Sequence, residues 1–540
     1  MRESISSVFV RNLLPCIGAA AVAACGVAEA PQGSSQAAVA SSPRTVEQRL
    51  ASCAQDPRVV TGLASPEICA GANLFFHETF GGNGRTCASC HPVEHNFTID
   101  AGFIATLPSS DPLFVFETDP DLAGLETASL RSMGGILENV DDRDVFADPT
   151  HKFVVRGVPH LLSLQTSIAV DPADPATPDT PEDRTGWGGD GGSLHGFANA
   201  AIRQHFTKRL DRVAGVDFRL ATEAELTLLE KFQRGLGRLN ELDLSQVNVF
   251  DALAQDGKAA YLDPMRGRCQ VCHANGGANF DGTDGNRNFD TGTRFAPRGD
   301  TTIPFYDGVF LFDGGFRGQG LADPNVLVTL PLGQPNNGFG NNTFNTTTVI
   351  EAADTLPAFH TNFFGAPGAP DAPPTDNIEN VVTFYAGLFN QSPAADDLTR
   401  QFGAPANVGP DIASIGRFLR ALNIALNLDM ARQRLLASRI ILRRFQDQNV
   451  AIQIKLIQLA VAEINDALAV LQDPVTPQPF YPVAVDRLGL AKAEIAAALA
   501  AATSQQRVGA LSNAISRVQN ARDQIGSNIT FTLGAGNLFF

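Results

Sequence analysis

The chain has 540 residues, enough for two or three domains with real cores, which excludes a peptide hormone or a small disulfide-stapled scaffold. Lys plus Arg number 40 against 57 for Asp plus Glu, and the resulting net charge of −17 argues against sequence-independent binding to nucleic acid or to anionic lipid. Only 18% of residues are charged, and 49 Gly with 33 Pro point to a binding scaffold rich in long irregular loops.

Arg2 and Arg11 precede an apolar run from Leu13 to Ala24 that is too short to span a membrane and has the form of an export signal, so residues 1–25 read as a signal peptide. Val22-Ala23-Ala24-Cys25 has the pattern of a bacterial lipobox, which would make Cys25 the lipidated first residue; a cut after Ala28-Glu29-Ala30 is the alternative. The expected location is the periplasm, or the outer membrane as an anchored lipoprotein that touches the bilayer only through its N-terminal lipid. Residues 26–50 read as a flexible linker, since the segment 31–45 has no aromatic side chain.

Six cysteines remain beyond the leader. Four of them form two identical patterns, Cys87-Ala88-Ser89-Cys90-His91 and Cys269-Gln270-Val271-Cys272-His273. C-x-x-C-H is the attachment site of a c-type haem: two thiols one turn apart add to the porphyrin vinyl groups, and the next residue brings an imidazole under the iron. Two covalent haems are therefore expected, with Cys87, Cys90, Cys269 and Cys272 as attachment points and His91 and His273 as iron ligands. The competing reading, a structural zinc site made by the four cysteines, leaves the matched histidines and the export signal unexplained. Cys53 and Cys69, in a compartment that permits oxidation, are expected to form a disulfide, with two free buried thiols as the alternative.

A weak repeat accompanies the motifs. Gly71-x-x-x-Phe75 precedes Cys87, and Gly257-x-x-x-Tyr261 precedes Cys269, so each motif follows a short helix whose small residue permits close packing on a later helix. The expected fold is mainly α. It comprises two c-type cytochrome domains, 51–245 and 246–425, with long irregular loops, short hairpins in the Gly/Asn/Phe-rich stretch 275–347, and a C-terminal helical extension, 426–540. Apolar residues at helical spacing, such as Ile457, Val461, Ile464, Leu468 and Leu471, predict two or three packed helices broken at Pro474–Pro482, a structural or docking appendage without chemistry of its own.

Function turns on whether each iron keeps an open position, since a six-coordinate haem carries electrons and a five-coordinate one binds peroxide or dioxygen. Of four methionines, Met1 belongs to the leader, Met265 lies too close to Cys269, and Met430 sits in the tail, which leaves Met133. His360, downstream of the second motif and ahead of a helix over 378–389, is the expected sixth ligand of the second haem.

The order of Gly84-Arg85-Thr86-Cys87, Arg156-x-x-Pro159, Trp187-Gly188-Gly189-Asp190, the second C-x-x-C-H, Ala353-Asp354-x-x-Pro357-x-Phe359-His360 and Val381-Val382-x-Phe384-Tyr385 resembles the bacterial di-haem cytochrome c peroxidases and their protein-modifying relatives, over roughly 70–425. The resemblance implies that the His91 haem reacts with peroxide and that the His273 haem relays electrons to it from a small cytochrome or cupredoxin. It also implies that Trp187 borders the reactive haem and that a calcium ion can sit between the haems. Asp281, Asp284 and Asn286 imitate the start of a calcium loop whose terminal Glu is absent. Two departures stand out. His360 takes the place where the peroxidases usually carry Met or Tyr, as in the di-haem rubber oxygenases, and no acid follows the Trp187 motif, so His205, or His160 as the alternative, is expected to shuttle protons. His77, His95, His151 and His195 are assigned to surface or loops, and Tyr306 is a reserve ligand beside Met133. The expected activity is reduction of hydrogen peroxide; an oxygenase acting on an organic polymer or other apolar substrate, or a pure electron carrier, is the alternative.

Overall fold

A computed structural model describes residues 44–119, 130–131, 134–139, 153–168, 185–187, 193–209, 212–279, 286, 288–289, 291, 344–360, 362, 377–386 and 408–540. Helices dominate it, as expected: α1 (Val46–Cys53), α2 (Pro66–His77), α3 (Leu194–His205), α4 (Glu223–Arg234), α5 (Ala252–Leu262), α6 (Ile378–Ala386), α7 (Val408–Phe445), α8 (Val450–Gln472), α9 (Pro482–Ala500) and α10 (Ser504–Arg522). Three small antiparallel pairs join β1 (Gly135–Asn139) to β2 (Phe153–Gly157), β3 (Asn248–Val249) to β6 (Gly526–Ser527), and β4 (Asn288–Phe289) to β5 (Phe344–Asn345). The third pair lies in the stretch where hairpins were expected.

Helix ends follow local chemistry. Thr45 and Gln48 cap α1 reciprocally, Thr222 and Glu225 do the same for α4, and the Asp251 carboxylate accepts from Ala254 N–H at the start of α5. The Cys53–Cys69 disulfide is formed and ties the end of α1 to α2.

The repeated Gly and aromatic positions build the same contact twice. A Cβ on Gly71 would stand 2.0 Å from the Leu228 carbonyl oxygen, and one on Gly257 would stand 1.7 Å from that of Ser414. Only glycine lets α2 meet α4, and α5 meet α7, backbone to backbone. Phe75 then packs on Phe232 with ring centroids 5.1 Å apart, and Tyr261 on Phe418 at 5.8 Å.

The chain beyond 425 is not a separate extension. The 38-residue helix α7 runs through the expected boundary, and every residue from Ser414 to Leu428 is buried. Its buried cations are paired: Arg417 with Asp251 at 2.7 Å, and Arg420 with Glu379 and with Asp473, each at 2.8 Å. The last residues return to the first half, where Thr532 O accepts from Leu239 N–H at 2.7 Å, Gly536 N–H donates to Gly235 O at 2.8 Å, and Asn537 bonds both backbone groups of Gly237. Residues 45–540 accordingly form one compact unit, and α1 claims 46–50 from the expected linker. The expected break at Pro474–Pro482 separates α8 from α9. Among the described residues no helix is long and apolar enough to cross a membrane.

Candidate functional site

Both C-x-x-C-H sequences fold as single tight turns. His91 N–H donates to Cys87 O at 3.0 Å, and His273 N–H to Cys269 O at 2.9 Å. Thr86 N–H to Ser89 Oγ, 3.0 Å, fastens the first turn, while Arg268 opens the second from a left-handed conformation. The four cysteines of these motifs are not disulfide-bonded. Burial pushes the Cys87 thiol up to about 12, helped by Cys90, and burial pushes Cys272 up to about 12 as well, so both stay protonated.

The two imidazoles share one orientation device. His91 Nδ1 lies 2.8 Å from Phe97 O, and His273 Nδ1 lies 2.9 Å from Thr347 O. A carbonyl oxygen only accepts, so each ring carries its proton on Nδ1 and leaves Nε2 as a lone pair. Burial pushes His91 down to about 4, against the Phe97 bond and with help from His205 and His160, and burial also lowers His273. Both rings are neutral. Tyr261 O–H donates to His273 O at 2.5 Å, so the aromatic of the second repeat holds the second motif directly.

One cavity is bounded by both turns. Cys87, Cys90, His91, Cys269, Cys272 and His273 line it, and so do His160, His205, Trp187 and His360, the four residues singled out far from the motifs. No family model, curated protein or solved structure matches this chain. The assignment therefore stands on the site itself.

His205 ends α3, whose last turn is pinned to the loop before Cys87: Asn83 Nδ2 donates to His205 O at 3.0 Å, and its N–H to Phe206 O at 2.9 Å. His160 follows β2. Burial lowers its pKa, opposed by the nearby Glu351 carboxylate and reinforced by Arg238. Glu351 is fully buried and accepts from Ser163 Oγ, from Thr348 Oγ1 at 2.7 Å and from Arg238 Nε at 3.0 Å. His360 is 2% exposed and stacks on Phe344 at 3.8 Å, while its carbonyl accepts from Gly157 N–H at 2.8 Å. Trp187 bridges the halves: its indole N–H donates to Gly157 O, and its carbonyl accepts from Asn345 N–H, each at 2.8 Å.

These residues fit covalent haem in their donor set. Each turn offers two cysteine side chains and one Nε2 lone pair to the cavity, and the carbonyl behind each ring is the partner a proximal histidine needs. Among the described residues, no three His, Cys, Asp or Glu side chains converge as a metal-binding group. Asn286 is buried, with Nδ2 donating to Ser167 O at 2.8 Å and Thr346 O at 2.9 Å. Asp281, Asp284, Met133, His151, Tyr306 and the leader lie outside the described residues. His195, expected on the surface or a loop, instead sits half-buried on α3, 3.1 Å from Glu223 and 3.2 Å from Glu230.

Sequence reasoning missed the Glu351–Arg238–Ser163 network, Gln233 and Arg268 on the cavity wall, and the cavity role of Tyr385. No motif marks them. Only the doubled helix contact, with Tyr261 as its aromatic, left a sequence signal. No Asp or Glu lines the cavity among the described residues.

Proposed function

We propose that the chain is a di-haem c-type oxidoreductase that reduces hydrogen peroxide at the His91 haem, with electrons from a small cytochrome or cupredoxin relayed through the His273 haem. The observation that carries this reading is the matched pair of turns on one cavity, each with two cysteines outside any disulfide and a histidine whose Nδ1 faces a carbonyl. Bound haem would supply a redox-active iron. The overall change takes one peroxide, two electrons and two protons to two waters.

The chain's own residues hold and orient. Cys87 and Cys90, and Cys269 and Cys272, tether the two groups, while Phe97 and Thr347 keep the His91 and His273 lone pairs aimed at the cavity. His360, on the cavity wall, would be the further residue to hold the second haem, which would then serve as an electron relay. With no carboxylate on the described wall, protons for the O–O cleavage pass through His205, with His160 backed by Glu351 as the alternative. Trp187, bonded to Gly157 on one side and Asn345 on the other, stands where electrons cross. The resemblance to the di-haem peroxidases supports this division of roles, and the export signal suits haem attachment outside the cytoplasm.

One observation favours a second reading. The cavity wall between the motifs is largely aliphatic and aromatic, including Ile136, Val158, Leu194, Phe197 and Phe344, which suits dioxygen and an apolar substrate.

The test begins with acetone-extracted, denatured protein, which should retain two haems per chain by pyridine haemochrome; fewer than two overturns the di-haem reading. Half-reduced protein should then oxidise a reduced donor when peroxide is added, with one carbon monoxide bound per chain when fully reduced. Dioxygen uptake with an apolar polymer and no peroxide turnover would establish the oxygenase instead. No carbon monoxide binding at all would leave an electron carrier.

A further inference from the structure

The carbonyl behind each candidate ligand is followed in the chain by a buried threonine, and the hydroxyls of both threonines lead to one short segment. Phe97 O faces His91 Nδ1, and the next residue, Thr98, donates from Oγ1 to Val158 O at 2.6 Å. Thr347 O faces His273 Nδ1, and the next residue, Thr348, donates from Oγ1 to Glu351 Oε2 at 2.7 Å. Glu351 Oε1 accepts in turn from Ser163 Oγ. Residues 158–163 carry His160 on the cavity wall. This segment is therefore fastened at its first residue beside the His91 carbonyl and at its last, through Glu351, beside the His273 carbonyl.

Glu351 is the junction. It is wholly buried, as are Ser163 and Arg238. Its donors come from three distant parts of the chain: Ser163 after β2, Arg238 after α4 and Thr348 after β5. Each donor is itself held. Arg238 gives Nε to Glu351 at 3.0 Å and Nη1 to Asn240 O at 2.8 Å. Ser163 takes a left-handed backbone, and its N–H donates to Leu236 O at 3.2 Å. Beyond Thr348, Val349 N–H donates to Gly276 O at 3.0 Å, three residues past His273. A carboxylate out of reach of solvent, with its charge matched by one guanidinium and further lone pairs taken by two hydroxyls, is a stiff support for whatever it holds.

We propose that Glu351 is a positioning residue for His273: its hold on Thr348 sets the Thr347 carbonyl against the imidazole, and its other oxygen ties that setting, through Ser163, to the segment that Thr98 fastens beside the His91 carbonyl. The effect on iron rests on the di-haem reading. A histidine whose Nδ1–H is firmly accepted is a more basic ligand and keeps its iron at a lower potential. Loosening the Thr347 carbonyl should therefore raise the potential of the second haem.

Thr348→Val keeps the side-chain shape and every charge while removing the hydroxyl, so a direct electrostatic effect of Glu351 is held constant. In a spectroelectrochemical titration of the full chain it should raise the midpoint potential of the second haem, and Thr348→Ser should restore the parent value. Glu351→Asp, which keeps the charge but draws the carboxylate back by one methylene, should act as Thr348→Val does. Ser163→Ala should shift the same potential in the same direction, and together with Thr348→Val by less than the sum of the two shifts, because both act through one carboxylate. An unmoved potential in Thr348→Val overturns the proposal, and so do a Thr348→Ser value as high as that of Thr348→Val or strictly additive shifts. Fewer than two haems after acetone extraction is instead the failure of the di-haem reading. The spectrum of chain labelled with 15N-histidine then decides: faster exchange of the His273 ring proton in Thr348→Val, but not in Thr348→Ser, supports the positioning role, and equal exchange in all three forms overturns it.

Discussion

The indole N–H of Trp187 donates to the carbonyl oxygen of Gly157 at 2.8 Å, and the N–H of that glycine donates in turn to the carbonyl of His360. A Cβ on Gly157 would meet Asn362 Oδ1 at 1.8 Å, so the strand end carrying this glycine is packed tightly against the His360 segment. Trp187→Phe keeps a ring but strands the Gly157 carbonyl, and should cost about 1 kcal/mol in chemical unfolding. Trp187 is the sole tryptophan, so its emission reports the cavity alone. With haem attached, emission should be strongly quenched in the folded protein and should recover on unfolding; bright folded protein would count against a haem beside it.

Gly71→Ala and Gly257→Ala should each destabilise by about 1–3 kcal/mol, because the new methyl would press on the Leu228 or Ser414 carbonyl and force the helix pair apart. Gly489→Ala and Gly509→Ala, in α9 and α10 with nothing within 4 Å of the added carbon, should stabilise by about 0.4–1 kcal/mol. Urea unfolding of the four variants checks the contrast, and equal effects would rule out backbone contact at the first two positions.

Asp251 caps α5 and pairs with Arg417. Burial raises its carboxyl, but bonds from Arg417 and the Ala254 N–H outweigh that and hold it below the ordinary range. With the folded value lower than the unfolded one, the stabilisation is complete above about pH 4 and disappears as pH falls through the folded value. Asp251→Asn should cost about 2 kcal/mol at pH 7. Its deficit should shrink steadily in acid unfolding series from pH 5 to pH 2, and a deficit independent of pH would exclude the ion pair as its source.

His360→Gly removes the imidazole while leaving the carbonyl that accepts from Gly157. On the proposed reading it should convert one carbon monoxide per reduced chain into two and raise the potential of the second haem. An unchanged stoichiometry and low-spin signal would return Met133 and Tyr306 to consideration.

What could be read in the sequence is what contiguous chemistry encodes. C-x-x-C-H is a five-residue turn whose thiols and imidazole need no distant help to lie together, and the glycine one turn before an aromatic marks a helix that must touch another. The Cys53–Cys69 bond followed from six leftover cysteines sorted by pattern. The nearness of His160, His205, Trp187 and His360 is different in kind. They lie just after β2, at the end of α3 and on two loops separated by up to 200 residues, and each local setting would serve an ordinary packed residue equally well; here the resemblance to a family pattern, and not periodicity, singled them out. Glu351 and Arg238 left no trace, because a buried pair is recognisable only when both partners and the void around them are known. The C-terminal helices were legible as helices but misjudged as an appendage. Their apolar spacing specifies that they pack, not on what. That was decided by α7, buried on every side from Ser414 to Leu428, and by a tail that returns to bond Gly235 and Gly237, contacts whose sequence separation of about 300 residues no local pattern records.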